Sequence, residues 1–259
     1  MFPVVFEWGD AVLTTYALLM SVAFFVGLFV ALAQAKRLGG LPAELVVGKS
    51  IGAFLWGLAG ARLLFVLTQW PRFAKGQWGL WEIASGGVVF FGGFLGAVAY
   101  LGWSLRHRPT QRRRLFAAFA PALAFAHAVG RLGCFANGCC HGDHCAWPWA
   151  VTISDPRSVA TLQGVPLHPT PLYEAVFLVF LGIYLWRRNA RPERAASSVR
   201  IYLVAYGLAR FAFEFTRGDS LRGEALGLST SQWISIGLVL TGLALDSKPL
   251  GRNNSTDEN

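Results

Sequence analysis

The chain has 259 residues, of which 54% are hydrophobic and 14% charged, and it carries 23 Lys and Arg against 14 Asp and Glu. A soluble domain has about a quarter charged residues, so this composition excludes an ordinary soluble globular protein. The cations fall in blocks between apolar runs, which excludes a nucleic-acid groove and marks them as topology signals beside anionic headgroups.

Apolar runs of about 20 residues mark membrane spans. Seven occur in chain order. Ala11–Ala35 has no charge, Ser50–Gln69 holds only Arg62, and Ile83–Leu105 has none. Leu115–Phe135 holds His127 and Arg131, and Pro169–Trp186 holds Glu174. Ile201–Thr216 holds Arg210 and Glu214, and Ala225–Leu245 is uncharged. The first run is too long for a cleaved leader and no basic segment precedes it, so it is expected to be retained. With the N-terminus outside, fifteen loop cations, from Lys36 to Arg252, fall on the inner side. Only Arg72, Lys75, Arg157, Arg217 and Arg222 fall outside, which predicts N-out and C-in. The expected fold is therefore an all-α membrane protein with seven transmembrane helices. Residues 1–251 form a single domain, and 252–259 are a disordered cytoplasmic tail.

The outer loops are short except between spans four and five, where residues 138–168 are expected to form a small cap. Its Trp147-Pro-Trp-Ala-Val-Thr-Ile stretch alternates aromatic and β-branched residues and suits a short strand or hairpin. Prolines at 169 and 171 suit the first turn of the fifth helix. In the third span, Ser85-Gly86-Gly87 and Gly92-Gly93 flank four bulky residues. Close helix packing and a helix opened towards a ligand remain equal readings of that pattern.

A cation inside the bilayer costs about 2.5–3.5 kcal/mol on insertion scales, so an intramembrane arginine is expected to line a polar cavity. Arg131 and His127 are four residues apart and share a helical face. Tyr206, Arg210, Glu214 and Arg217 recur at helical spacing as one polar stripe leading to the outer surface. An internal Arg210–Glu214 ion pair is the bland reading of that stripe. The sharper one is that the Arg131 and Arg210 forks converge on one phosphate. Arg62 is either a third member of the site or a partner for Glu174, which reads as a structural carboxylate. All four cysteines lie between positions 134 and 145, and three readings stay open for them. These are disulfides bracing the cap, a zinc site drawn from Cys139, Cys140, His141, His144 and Cys145, or free thiols with a redox or transfer role.

These motifs resemble those of the prolipoprotein diacylglyceryl transferases of bacterial inner membranes. Tyr16, Gly60-Ala-Arg62 and Gly86-Gly-Val-Val-Phe-Phe-Gly-Gly93 all have counterparts there. So do Gly130-Arg-Leu-Gly-Cys-Phe-Ala-Asn-Gly138, His168-Pro-Thr-Pro-Leu-Tyr-Glu174, Tyr206-Gly-Leu-Ala-Arg210 and Glu214-Phe-Thr-Arg217. The resemblance implies transfer of the diacylglyceryl group of phosphatidylglycerol to the lipobox cysteine of a preprolipoprotein, at the periplasmic side of the lipid bilayer. It also implies that Arg131 and Arg210 grip the phosphate, with Tyr16, Asn137, Gly142, Tyr206, Glu214 and Arg217 shaping the site and no metal or cofactor required. The chain departs from the pattern at Phe91, where the family usually has a histidine proposed as the thiol's base. It departs again at Cys134 and Cys139, where asparagine and glutamate are usual. His127 is the expected replacement base, with His141 and His168 as alternatives. A diverged relative with another acceptor and a non-catalytic phospholipid-binding protein are the competing functions. A transporter fits less well, because the intramembrane charges gather near one face.

Overall fold

The computed structural model describes residues 2–9, 11–77, 79, 87, 89–217 and 224–245. It is mostly helical, and the main helices fall where the apolar runs are. They are α1 (Thr15–Leu38), α2 (Ala43–Ala74), α3 (Phe90–Ser104), α4 (Pro109–Asn137) and α5 (Thr170–Arg188). A short α6 (Pro192–Ala195) leads into α7 (Ser198–Glu214) and then α8 (Thr230–Ala244). Among the described residues, α1, α2 and α4 are long and apolar enough to cross a membrane, and α8 is a shorter apolar helix.

Both ends of the apolar pattern are corrected by local hydrogen bonding. Ala11–Thr14, expected in the first span, is a strand (β2) paired antiparallel with β1 (Val4–Trp8). Thr14 ends that strand and caps α1, its side chain accepting from Ala17 N at 3.1 Å. Ala225, expected in the last span, lies in a two-residue strand (β5, Glu224–Ala225) paired with β6 (Leu228–Ser229). Helix α8 begins only after Ser229, which forms a reciprocal capping box with Gln232. Ser85-Gly86, Arg222 and the tail at 252–259 lie outside the described residues.

Helix α4 is the central post. One face packs on α1, with Ala122 among Val30, Ala31 and Ala35; the other packs on α5 and α7, with Ala124 and Ala128 among Leu178, Leu181 and Tyr202. Small residues keep these approaches close. The same device joins α2 to α3, where a Cβ at Gly60 would collide with the Gly92 carbonyl and one at Gly96 with the Trp56 carbonyl. Pro121 sits inside α4 and has no N–H to give the Ala117 carbonyl. The buried Asn189 donates to that carbonyl instead, Nδ2 to O at 2.9 Å, while its Oδ1 accepts from Ser198 Oγ at 2.6 Å. One side chain thus mends the helix and ties the end of α5 to the start of α7.

Between α4 and α5 the chain forms a short hairpin. Val151–Thr152 (β3) pairs with Pro166–Leu167 (β4), and the Trp147 and Trp149 rings stack 5.2 Å apart. Helix α4 ends in a left-handed Gly138, and the Asn137 carbonyl then accepts from Ser158 Oγ at 3.1 Å and Val159 N at 3.2 Å. Asp155 carries the bidentate Arg157, which holds its carboxyl below the usual range and reaches Glu7 of the N-terminal hairpin at 3.6 Å.

Candidate active site

Glu174, one turn into α5, is fully buried and is the hub of the polar cluster. Its Oε1 accepts from Arg131 Nη2 at 2.9 Å and from Tyr206 OH at 2.7 Å, and lies 3.6 Å from His127 Nε2. Three helices meet there: α4 supplies His127 and Arg131 from one face, α5 the carboxylate, and α7 the tyrosine. His127 Nδ1 lies 3.4 Å from Tyr202 OH, and its ring stands edge-on to Tyr206. Burying this carboxylate is tolerable only because a cation and a hydroxyl meet it. Sequence reading undervalued Glu174. The signal was available: it is the sole charge in its span, and an intramembrane carboxylate is a functional candidate by default.

Arg210 forms the second centre, one turn beyond Tyr206 on α7. Its Nη1 lies 2.8 Å from Glu214 Oε2, and its Nη2 donates to Ser231 Oγ at 2.9 Å. Glu214 Oε1 accepts from Ser229 Oγ at 2.8 Å, so the cap of α8 is wired to the same pair. The bland expectation, an Arg210–Glu214 ion pair, is therefore present, and each arginine has a carboxylate of its own. The Arg131 fork is not used up. Arg131 Nε is buried with no hydrogen-bond partner among the described residues, and so is Glu174 Oε2; Arg210 Nη1 is taken up by the Glu214 pair. The charges of Arg131 and Arg210 both act on His127 and Tyr206.

The other expected site residues divide into two groups. Tyr16, at the start of α1, lies against Gly133 and within electrostatic reach of Arg131 and of three cysteine sulfurs. Arg217, just past α7, hydrogen-bonds Cys140. Gly142 is a packing position: its N–H donates to the His168 carbonyl at 2.8 Å, and a Cβ there would strike the Thr216 carbonyl and crowd Thr170 Oγ1. Asn137 anchors the cap through its carbonyl, as described. Arg62 is not drawn to Glu174; its Nη1 donates to the Gly87 carbonyl at 2.8 Å. His141 and His168 are engaged in the cap, His141 with the Gly142 carbonyl at 2.9 Å and His168 with Tyr173 OH at 3.1 Å.

The four cysteines are free thiols, and they do not group as their spacing suggested. The sulfurs of Cys134, Cys139 and Cys140 all lie within 4.8 Å of one another, while His141, His144 and Cys145 fall outside the group. Chain reversal brings them together, through Gly138 at φ 76° and Cys140 at φ 62°. The left-handed backbone costs a non-glycine residue about 1–2 kcal/mol. The Cys140 thiol is held well below the usual thiol range, first by hydrogen bonds from Cys134 and Cys139 and then by Arg217.

The family model for prolipoprotein diacylglyceryl transferase matches residues 3–246. The phosphatidylglycerol–prolipoprotein diacylglyceryl transferase of Finegoldia magna is 30% identical over 236 residues, covering 90% of each chain. That of Synechococcus elongatus is 32% identical over 251 residues, covering 93% of this chain and 85% of its own. The Clostridium tetani enzyme is 25% identical over 243 residues, covering 94% and 96%. This chain belongs to the prolipoprotein diacylglyceryl transferase family.

Proposed function

We propose that this protein transfers the diacylglyceryl group of phosphatidylglycerol to the lipobox cysteine of a preprolipoprotein. It does so from a seven-span fold in the bacterial inner membrane, with the site facing the periplasm. The observation that carries this reading is the three-helix junction at Glu174 beside the Arg210–Glu214 pair. It keeps two arginine forks, each paired to a carboxylate, and the buried Arg131 Nε has no partner among the described residues.

In this mechanism Arg131 and Arg210 hold the phosphodiester, and Glu174 and Tyr206 keep the Arg131 fork oriented. The acceptor sulfur attacks the glyceryl carbon that bears the phosphate. A carbon–sulfur bond forms, the carbon–oxygen bond breaks, and its electron pair leaves on glycerol phosphate. The two guanidiniums stabilise the charge gathering there, which a dry, preorganised site does far better than water. Tyr16 and Arg217 lie beside the cysteine sulfurs, and His127 is the proposed base for the acceptor's thiol proton.

The test is incubation of the purified protein with phosphatidylglycerol and a lipobox peptide, read by mass. A thioether-linked diacylglyceryl adduct is expected, and no adduct where an authentic family enzyme succeeds overturns the reading. His127→Ala should abolish turnover while phosphatidylglycerol still binds; unchanged turnover removes His127 from the chemistry. Phe91 and the cysteine trio favour a second reading, the same phospholipid with a different acceptor. Labelled glycerol phosphate released without any peptide adduct would select it.

A further inference from the structure

We propose that Cys134, Cys139 and Cys140 bind one zinc ion as thiolates, and that its fourth coordination position receives the acceptor cysteine's sulfur. The second half rests on the transferase reading above; the first half does not.

Geometry carries the binding claim. Zinc–sulfur bonds of about 2.3 Å at tetrahedral angles place the sulfurs roughly 3.8 Å apart. The three sulfurs already lie within 4.8 Å of one another, so closing on an ion needs only small side-chain rotations. The donor set is purely soft, which suits zinc and disfavours magnesium or calcium. Charge agrees as well. Three thiolates around a dication leave one negative charge, and Arg217 lies beside Cys140 while Arg131 acts on Cys134 and Cys140. Cys139 also has its backbone fixed, its N–H donating to the Cys134 carbonyl at 3.1 Å.

The same features favour an open site over a closed one. Structural zinc takes four protein ligands, whereas catalytic zinc takes three and leaves a position for a reactant. Cys145, the only cysteine left, is buried in the cap with its N–H bonded to the Pro166 carbonyl, outside the trio. His141 is engaged through both ring nitrogens, with Gly142 and Thr161. The three ligand cysteines are only half-buried, so a fourth ligand can approach from outside the protein. Arg131 lies one helical turn before Cys134 on α4, which sets the metal beside the phosphate grip.

The chemistry meets a need that Phe91 creates. A thiol that coordinates zinc would give up its proton readily, here to His127, and the bound sulfur would keep a lone pair for attack on carbon. The carbon–sulfur bond then forms as the carbon–oxygen bond to phosphate breaks, and the glycerol phosphate carries off the electron pair. Nothing is oxidised or reduced.

Purified protein, prepared without chelator, should contain one zinc per chain. Cys134→Ser, Cys139→Ser and Cys140→Ser should each weaken zinc binding beyond the roughly 10–100-fold that a lost outer partner costs. Cys145→Ser should keep the metal. Should the serine variants misfold, cobalt(II) loaded into the unaltered protein provides an independent reading, through an intense sulfur-to-cobalt charge-transfer band. A lipobox peptide should raise and shift that band, and the same peptide with serine for its cysteine should not. Metal-free protein that takes up neither zinc nor cobalt overturns the site. So does oxidised protein whose three cysteines resist alkylation until reduced. A cobalt spectrum indifferent to the peptide overturns the role of the fourth position. Failure of the transferase reading shows differently: the peptide changes the spectrum, yet phosphatidylglycerol yields no adduct.

Discussion

Glu174→Gln is the most informative single substitution, because it keeps the shape of the hub and removes only its charge. Arg131 Nη2 lies 2.9 Å from Glu174 Oε1, and the carboxylate is fully buried. Opposite charges centred about 4 Å apart attract by roughly 4 kcal/mol at an effective dielectric of 20. Removing one partner of a buried pair independently costs about 3–5 kcal/mol, because the other charge is left uncompensated. The glutamine oxygen can still accept from Tyr206 OH, now 2.7 Å from Glu174 Oε1, so the net loss should fall near the lower figure. For a chain of this size about 3 kcal/mol corresponds to a fall in Tm of roughly 6–12 °C. Thermal unfolding in detergent micelles measures it. The Arg210–Glu214 pair supplies the internal control. Each of its members keeps a serine partner, Ser231 or Ser229, so Glu214→Gln should cost less than half as much. If Glu174→Gln unfolds within about a degree of the unaltered chain, or if Glu214→Gln is the worse of the two, Glu174 is not the hub and the electrostatic argument fails.

Gly142→Ala should destabilise the cap by about 1–3 kcal/mol, since the new methyl group meets the Thr216 backbone carbonyl and His168 Cβ. Limited proteolysis between residues 138 and 168 should speed up accordingly. Asn189→Ala leaves the Ala117 carbonyl and Ser198 hydroxyl without their buried partner and should cost about 2–4 kcal/mol, read as a lower Tm. Gln34 on α1 runs the opposite way. Its amide is buried with neither Oε1 nor Nε2 hydrogen-bonded among the described residues, so Gln34→Leu should raise stability by about 1–2 kcal/mol in the same unfolding assay.

The helices were legible because each span repeats the same signal, a long apolar run bounded by charge or turn residues. What stayed hidden was decided by hydrogen bonds between distant positions. Ala11-Val-Leu-Thr is as apolar as the helix that follows it, and only pairing with Val4–Trp8 makes it a strand. The repair of Pro121 depends on Asn189, 72 residues from the carbonyl it serves. For the site, spacing correctly aligned His127 with Arg131 and Tyr206 with Arg210, since residues four apart share a helix face. Spacing could not say which carboxylate meets which arginine, and so Arg62 was weighed as a partner for Glu174. The cysteines mislead for a related reason. Cys134 looks remote from Cys139 and Cys140 along the sequence, but a left-handed turn after α4 folds it back onto them.

Charge bears on how the assembled site would hold a phosphodiester. Arg131 and Arg210 contribute two cations, Glu174 and Glu214 balance them, and Arg217 is engaged with Cys140. With no positive charge in excess, the phosphodiester would be held through oriented guanidinium N–H groups. Had Arg131 and Arg210 stood alone, each would have carried the intramembrane cost of about 2.5–3.5 kcal/mol with no ligand bound. The leaving glycerol phosphate gathers a second negative charge as the carbon–oxygen bond breaks. The site would stabilise that second charge mainly through guanidinium hydrogen bonds, above all from the buried Arg131 Nε, which has no partner among the described residues. In the proposed mechanism the carboxylates would therefore orient the arginines as well as hold them in the membrane.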